Sequence, residues 1–285
     1  MSNTVSIVIA SISLAGSLVS VVLTSWLTYL TDQRKRRHES EQLVAKYRDP
    51  LLLAAHDLQS RLHNITDHNV TNYFAEPSRQ RENFLLYTAY VIGQYLCWTH
   101  ILRRKLQFLR TSTNGATKDL DKALAAIVEE FSTDGHEKNG TPFMLWRGEQ
   151  MAIGQRMMDS DGDELCAIGY AEFCKRCKES PGDPLDSCSI TLDVPDGDFL
   201  IWFRPILQSI VEVAKAKLAR DIPVPDQRLR RLQHLVVDLI SVLDPQRLRS
   251  EASMVQLSTN ASNCKCSSCS VASREAQVRA TGEWG

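Results

Sequence analysis

The chain has 285 residues and a formal net charge of −1, with 33 Lys and Arg against 34 Asp and Glu. That balance provides no global field to attract nucleic acid or an acidic substrate, so no nucleic-acid partner is expected. The length exceeds one average domain and leaves room for an anchor, a domain and a tail.

Residues 1–31 carry no charged side chain, and then Arg34, Lys35, Arg36 and Arg37 arrive together. The apolar stretch 4–30 is 27 residues long. At 1.5 Å per residue it reaches about 40 Å, enough for a hydrocarbon core of ~30 Å with tilt. Trp26 and Tyr29 fall near its end, where amphipathic rings favour the headgroup level. A cleaved signal peptide fits poorly, because there is no basic start and the apolar run is about twice a normal h-region. The expectation is a transmembrane anchor over 1–31. The basic cluster Arg34 to Arg37 resists crossing, which puts the N-terminus outside and the rest in the cytoplasm. Sequons at Asn64, Asn69, Asn139 and Asn260 point the other way, but so short a pattern arises by chance. Within the span, Ser6, Ala10, Ser13, Ser17, Ser20, Thr24 and Thr28 form a stripe of small residues. Such a face allows close helix packing and predicts a homo-oligomer through the span. The lipid bilayer is the other expected partner, together with an unidentified protein.

Beyond the cluster, apolar residues recur at helical spacing at Val44, Tyr47, Leu51, Ala55, Leu58, Leu62 and Ile65. Asp49-Pro50 predicts a bend or restart there. A second helix is expected over 80–110, with Phe84, Tyr87, Val91, Tyr95, Trp98, Leu102, Leu106 and Leu109 on one side. Its apolar middle is only about 15 residues long, which favours a core helix over a second span. A third helix, 117–131, carries Leu120, Leu124, Ile127 and Phe131. A fourth is expected to start at Thr141-Pro142 and run to 158, followed by a turn over 159–163 and a fifth helix over 164–178. The alternating 189–194 segment has no visible partner strand and reads as loop. A sixth helix, 198–220, with Phe199, Trp202, Ile206, Ile210 and Val213, should kink at Pro205. The last spans 226–243 with Leu229, Leu232, Val236, Leu239 and Leu243. The segment 258–285 is rich in Ser, Asn, Thr and Ala and reads as disordered. The fold class is therefore all-α: a transmembrane helix, a cytoplasmic bundle of about seven helices over 32–248, and a disordered tail over 249–285.

The run Lys46-Tyr47-Arg48-Asp49-Pro50-Leu51-Leu52, followed by Ala54-Ala55, Asp57-Leu58-Gln59-Ser60-Arg61-Leu62 and Asn64-Ile65, resembles a family of uncharacterised single-pass membrane proteins. Arg147-Gly148-Glu149-Gln150, Ala152-Ile153-Gly154, Trp202-Phe203 and Leu243-Asp244-Pro245 look like further shared stretches. The resemblance covers about residues 40–248. It implies an architecture of one N-terminal span and a helical domain, and no activity.

Eight cysteines in a chain of this length do not form a compact disulfide framework, so a reducing compartment is expected. Cys174-Lys-Arg-Cys177 and Cys264-Lys-Cys266-Ser-Ser-Cys269 have metal-like spacing. A zinc site needs about four ligands on rigid turns, and these pairs are about 90 residues apart, so plain thiols and no cofactor are expected. Lipidation of the tail trio is a further alternative. His56, His63, Arg147, Glu149 and Gln150 form a speculative polar site. No phosphate loop, nucleophile elbow or dinucleotide fingerprint is present, and no catalytic residue is assigned. The preferred reading is a membrane-anchored interaction or scaffolding domain. The alternative is a tethered enzyme using the 56–64 and 147–150 helices.

Overall fold

The computed structural model describes residues 2–67, 70–74, 78–106, 115–134, 142–162, 164–180, 198–219, 224–247, 264 and 266–269. They form a mostly helical domain. In chain order these are α1 (Ser2–Asp67), α2 (Arg79–Leu106), α3 (Gly115–Ser132), α4 (Arg147–Arg156), a hairpin of β1 (Met158–Asp161) and β2 (Glu164–Ala167), α5 (Tyr170–Glu179), α6 (Arg204–Ala219) and α7 (Gln227–Leu243). Short 3-10 turns at Val70–Tyr73 and Leu200–Trp202 join them.

The helical stripes read from spacing are the buried faces. Tyr47, Leu51, Ala55, Leu58, Leu62 and Ile65 of α1 are buried, as are Leu120, Leu124, Ile127 and Phe131 of α3. In α7, Leu229, Leu232, Val236, Leu239 and Leu243 are buried too. α2 is the central helix, packed by α1, α4, α5, α6 and β2. Its middle is covered by protein, with Ala89, Val91, Ile92, Tyr95, Leu96 and Cys97 all buried, as expected of a core helix. Gly93 and Gly154 are sites of close approach. A Cβ on Gly154 would lie 2.9 Å from the backbone oxygen of Leu96, so α4 crosses α2 backbone to backbone. The polar joints are few and specific. Arg231 and Glu130 form a buried ion pair of 2.7 Å between α7 and α3. Arg48 donates to the carbonyl of Leu243, setting a cation of α1 against the C-terminal end of α7, where the helix dipole favours it.

Four expectations are corrected. α1 runs through Pro50 without a restart. Pro50 lacks the N–H that would close one helical bond, a defect of about 3 kcal/mol. Burial of Tyr47 on one side of it and Leu51, Leu52 and Ala55 on the other holds the helix together. α4 begins at Arg147, after residues 142–143 make a turn. Phe143 has φ +58, a left-handed conformation that a helix start cannot use, and its N–H is held by Ser209 Oγ. The 159–163 turn is wider than expected: it is an antiparallel hairpin in which Asp161 pairs with Glu164, and α5 starts only at Tyr170. Gly162, at φ +61, begins the two-residue connection, as hairpin turns require. Pro205 does not kink a helix. It sits in the first turn of α6, where its missing N–H has no partner to lose.

Among the described residues no helix is long and apolar enough to cross a membrane. Side chains 1–15 and 17–19, which make up most of the expected span, lie outside the described residues, as does the 189–194 segment. Where α1 side chains are described again, Val21, Val22, Leu23, Trp26, Leu27 and Tyr29 are 54–66% exposed.

Candidate functional site

His234 lies on α7, two residues beyond Leu232 and two before Val236. Each step of two turns a helix by about 200°, so His234 faces away from the stripe that packs into the core. It is nonetheless 3% exposed. What covers it is Cys264 and Cys266–Cys269, a part of the tail where composition predicts no structure. Cys264 and Cys266 are buried and Cys269 is half-buried, with a helical turn over 267–269.

Three sulfurs surround one ring nitrogen. His234 Nδ1 lies 3.4 Å from Cys266 Sγ, 3.5 Å from Cys269 Sγ and 3.7 Å from Cys264 Sγ. All four donor atoms lie within 4.8 Å of one another. The backbone N–H of Cys269 donates to Cys266 Sγ at 3.3 Å. Asp238, one helical turn after His234, accepts from the N–H of Ser267 at 2.6 Å and from its hydroxyl at 2.7 Å. The tail is therefore joined to α7 at two successive turns of the same face. Hydrogen bonds from Cys264, then from His234 and Cys269, hold the Cys266 thiol down at about 4. The hydrogen bond to Cys266 and burial push the Cys264 thiol up. The group is a set of soft donors able to hold one metal ion. The spacing of the three cysteines was legible. The fourth donor, on a helix 30 residues upstream of Cys264, was not.

The other cysteine pair behaves differently. Cys177 is buried on α5, and burial, then Cys174, pushes its thiol up to about 12. That is the reverse of an activated redox thiol. Cys97 likewise is pushed up to about 12 by burial, with a smaller contribution from Cys166.

The speculative polar residues lie on two helices, α1 and α4. Glu149 Oε2 accepts from the N–H of Trp146 and caps α4. Gln150 is buried, and its amide donates to the carbonyls of Val128 and Leu145, tying α4 to the end of α3. Arg147 is exposed. His63 and His56 lie on α1, which packs chiefly on α2 and α7, and His63 lies 4.0 Å from Asp67. Of the small-residue stripe, Ser6, Ala10, Ser13 and Ser17 lie outside the residues whose side chains are described. The hydroxyls of Thr24 and Thr28 donate to the carbonyls of Ser20 and Thr24, within their own helix.

A surface cleft of about 480 Å³ opens beside Arg61, Tyr73, Phe84, Tyr87 and Tyr170. The Arg61 guanidinium lies 4.4 Å from the Tyr87 ring centroid and 5.1 Å from that of Phe84. Ring faces hold this cation in place, and burial lowers its pKa. Compared with known proteins, the chain matches no family model, no curated protein and no solved structure.

Proposed function

We propose that the chain is a single-pass membrane protein whose helical domain lies in the cytoplasm and works by binding, as an interaction or scaffolding module. The observation that supports this is the contrast within α1. From Tyr47 onward its apolar stripe is buried by α2 and α7, whereas Val21, Val22, Leu23, Trp26, Leu27 and Tyr29 have no protein cover among the described residues. Six apolar side chains within about two and a half turns, on several faces of one helix, are costly in water and favourable in lipid. They continue an uncharged segment and are followed at once by Arg34, Lys35, Arg36 and Arg37. Each basic residue beside anionic lipid contributes about 1 kcal/mol.

Binding is preferred to catalysis for a specific reason. A tethered enzyme built on the 56–64 and 147–150 helices needs both groups in one pocket. The cleft at Arg61 contains none of Arg147, Glu149 or Gln150; Glu149 is engaged in capping α4 and Gln150 in joining α4 to α3. The test is topology in cells. A reporter fused after Gly285 should be cytoplasmic, and the protein should resist alkaline extraction from membranes. Glycosylation of the unaltered chain at Asn64 or Asn139, or its release by alkali, would overturn the reading.

A further inference from the structure

We propose that His234, Cys264, Cys266 and Cys269 form a closed structural zinc site that staples the C-terminal segment onto the outer face of α7. The inference is independent of the membrane reading, since it uses only the far end of the helical domain.

The distances favour coordination over hydrogen bonding. Nδ1 of a neutral imidazole offers either one lone pair or one N–H, so it cannot hydrogen-bond to three sulfurs at once. Yet three sulfurs stand at nearly equal distance from it, at 3.4, 3.5 and 3.7 Å. Tetrahedral zinc with Zn–S of about 2.3 Å and Zn–N of about 2.0–2.1 Å sets nitrogen and sulfur about 3.6 Å apart. The three measured values bracket that distance. All four donors lie within 4.8 Å of one another, against about 3.8 Å between sulfurs around one tetrahedral zinc, so a small inward movement closes the shell on an ion.

The donor set selects the metal class. Three thiolates and one imidazole are the soft-to-borderline ligands that suit zinc and disfavour magnesium or calcium. Four protein donors fill a tetrahedron and leave no position for water or substrate, so the site is structural rather than catalytic. The surroundings complete it. The Cys269 N–H donates to Cys266 Sγ, a contact that stabilises a thiolate, and Asp238 fixes Ser267 between two of the ligands.

Residues 258–285 carry few large apolar side chains, so apolar burial contributes little to holding Cys264, Cys266 and Cys269 against α7. α7, conversely, has twelve of its 17 residues buried, including Gln233, His234 and Val237 on sides away from the leucine stripe. A metal ion binds the folded arrangement and not the unfolded one, so its affinity serves directly as the tail's folding energy.

The test uses the full chain in mild detergent. After purification without added chelator, metal analysis should find one zinc per chain. Cobalt exchanged into the site should give the visible spectrum of a tetrahedral thiolate centre. Cys266→Ser and His234→Ala should each abolish stoichiometric binding, whereas Cys174→Ser should retain it. Limited proteolysis should leave the peptide carrying Cys264, Cys266 and Cys269 uncut between them with zinc and cleave it once a strong chelator is added. A wild-type chain without stoichiometric zinc that also fails to take up cobalt would overturn the site. So would a Cys264, Cys266 or Cys269 disulfide found by mass spectrometry in place of metal. Bound zinc with proteolysis indifferent to the chelator would overturn the staple.

Discussion

The first half of α1 and the middle of α2 are both apolar helical stretches, yet they meet different surroundings. Between Ala89 and Leu102 no residue of α2 is exposed, with Tyr90, Gln94, Trp98 and His100 half-buried and the rest buried. Gly93 is pressed by the side chains of Phe203 and Met157, and Gly154 of α4 lies against the Leu96 backbone. The apolar side chains of α1 from Val21 to Tyr29 are exposed among the described residues. Hydrophobic content alone does not separate the two cases. The spacing of charge does: α2 reaches His100 and Arg103 after a short run, whereas the start of α1 has no charge for 31 residues. A core helix can carry charge at its ends because the bundle is narrow. A helix in lipid must keep it out for the full thickness.

That contrast is broken most sharply by placing one carboxylate in each helix. Ile92→Asp puts an unpaired charge at a site with no exposure, a change costing about 4 kcal/mol or more, and the domain should lose its cooperative thermal transition. Leu23→Asp should leave that transition where it is and weaken membrane insertion by about 3 kcal/mol, read as increased alkaline extraction. If both variants unfold the domain, the two helices do not differ as described. A smaller effect is expected at the α2–α4 crossing. Gly154→Ala forces a methyl group against the Leu96 carbonyl and His100 Cβ, at a cost of about 1–3 kcal/mol. Tm should fall by about 2–4 °C per kcal/mol. Gly148→Ala, six residues earlier with nothing within 4 Å, should leave Tm unchanged or raise it. Equal losses at the two glycines would show that helix propensity, and not the crossing, sets the effect.

The smallest expected effect concerns the small-residue stripe of the span. Thr24 and Thr28 already satisfy their hydroxyls within α1, so association there depends on close packing more than on bonds across helices, which average about 0.6 kcal/mol. Ser13, Ser17 and Ser20 changed together to Leu should lower self-association in a membrane two-hybrid assay. Leu at Ile7, Val21 and Val22 should not. Equal signals at equal expression would remove the stripe as an interface.

The helices were legible because each shows its buried face at three- and four-residue steps, a pattern that packing rewards whatever the partner. The hairpin was not, since Met158-Asp-Ser-Asp and Glu164-Leu-Cys-Ala lack β-branched and aromatic residues. Only the Asp161-Gly162 turn marks it. The continuity of α1 across Pro50 was hidden for a related reason: local propensity argues for a break, and only burial on both sides of the proline outweighs it. The cluster at the tail was half legible. Composition speaks only to ordering by apolar burial and says nothing of a segment held by four donor atoms. His234 looks like any polar residue on the solvent side of an amphipathic helix until the cysteines are brought to it. Several polar or small residues fall at joints between elements: Arg48 meets the Leu243 carbonyl, Gln150 reaches α3, and Gly154 touches α2.

The unbroken run of α1 from Ser2 to Asp67 makes it a drive shaft. In the membrane-tethered arrangement, the stretch from Thr31 to Tyr47 would hold the domain about 24 Å beyond the apolar segment, with no flexible joint to absorb rotation. Which side of the domain faces a neighbour would then be fixed by helical phase. One residue inserted between 32 and 46 would turn the bundle by about 100° relative to the span while lengthening the shaft by only about 1.5 Å. Two chains paired through their spans would consequently present one defined pair of domain faces to each other.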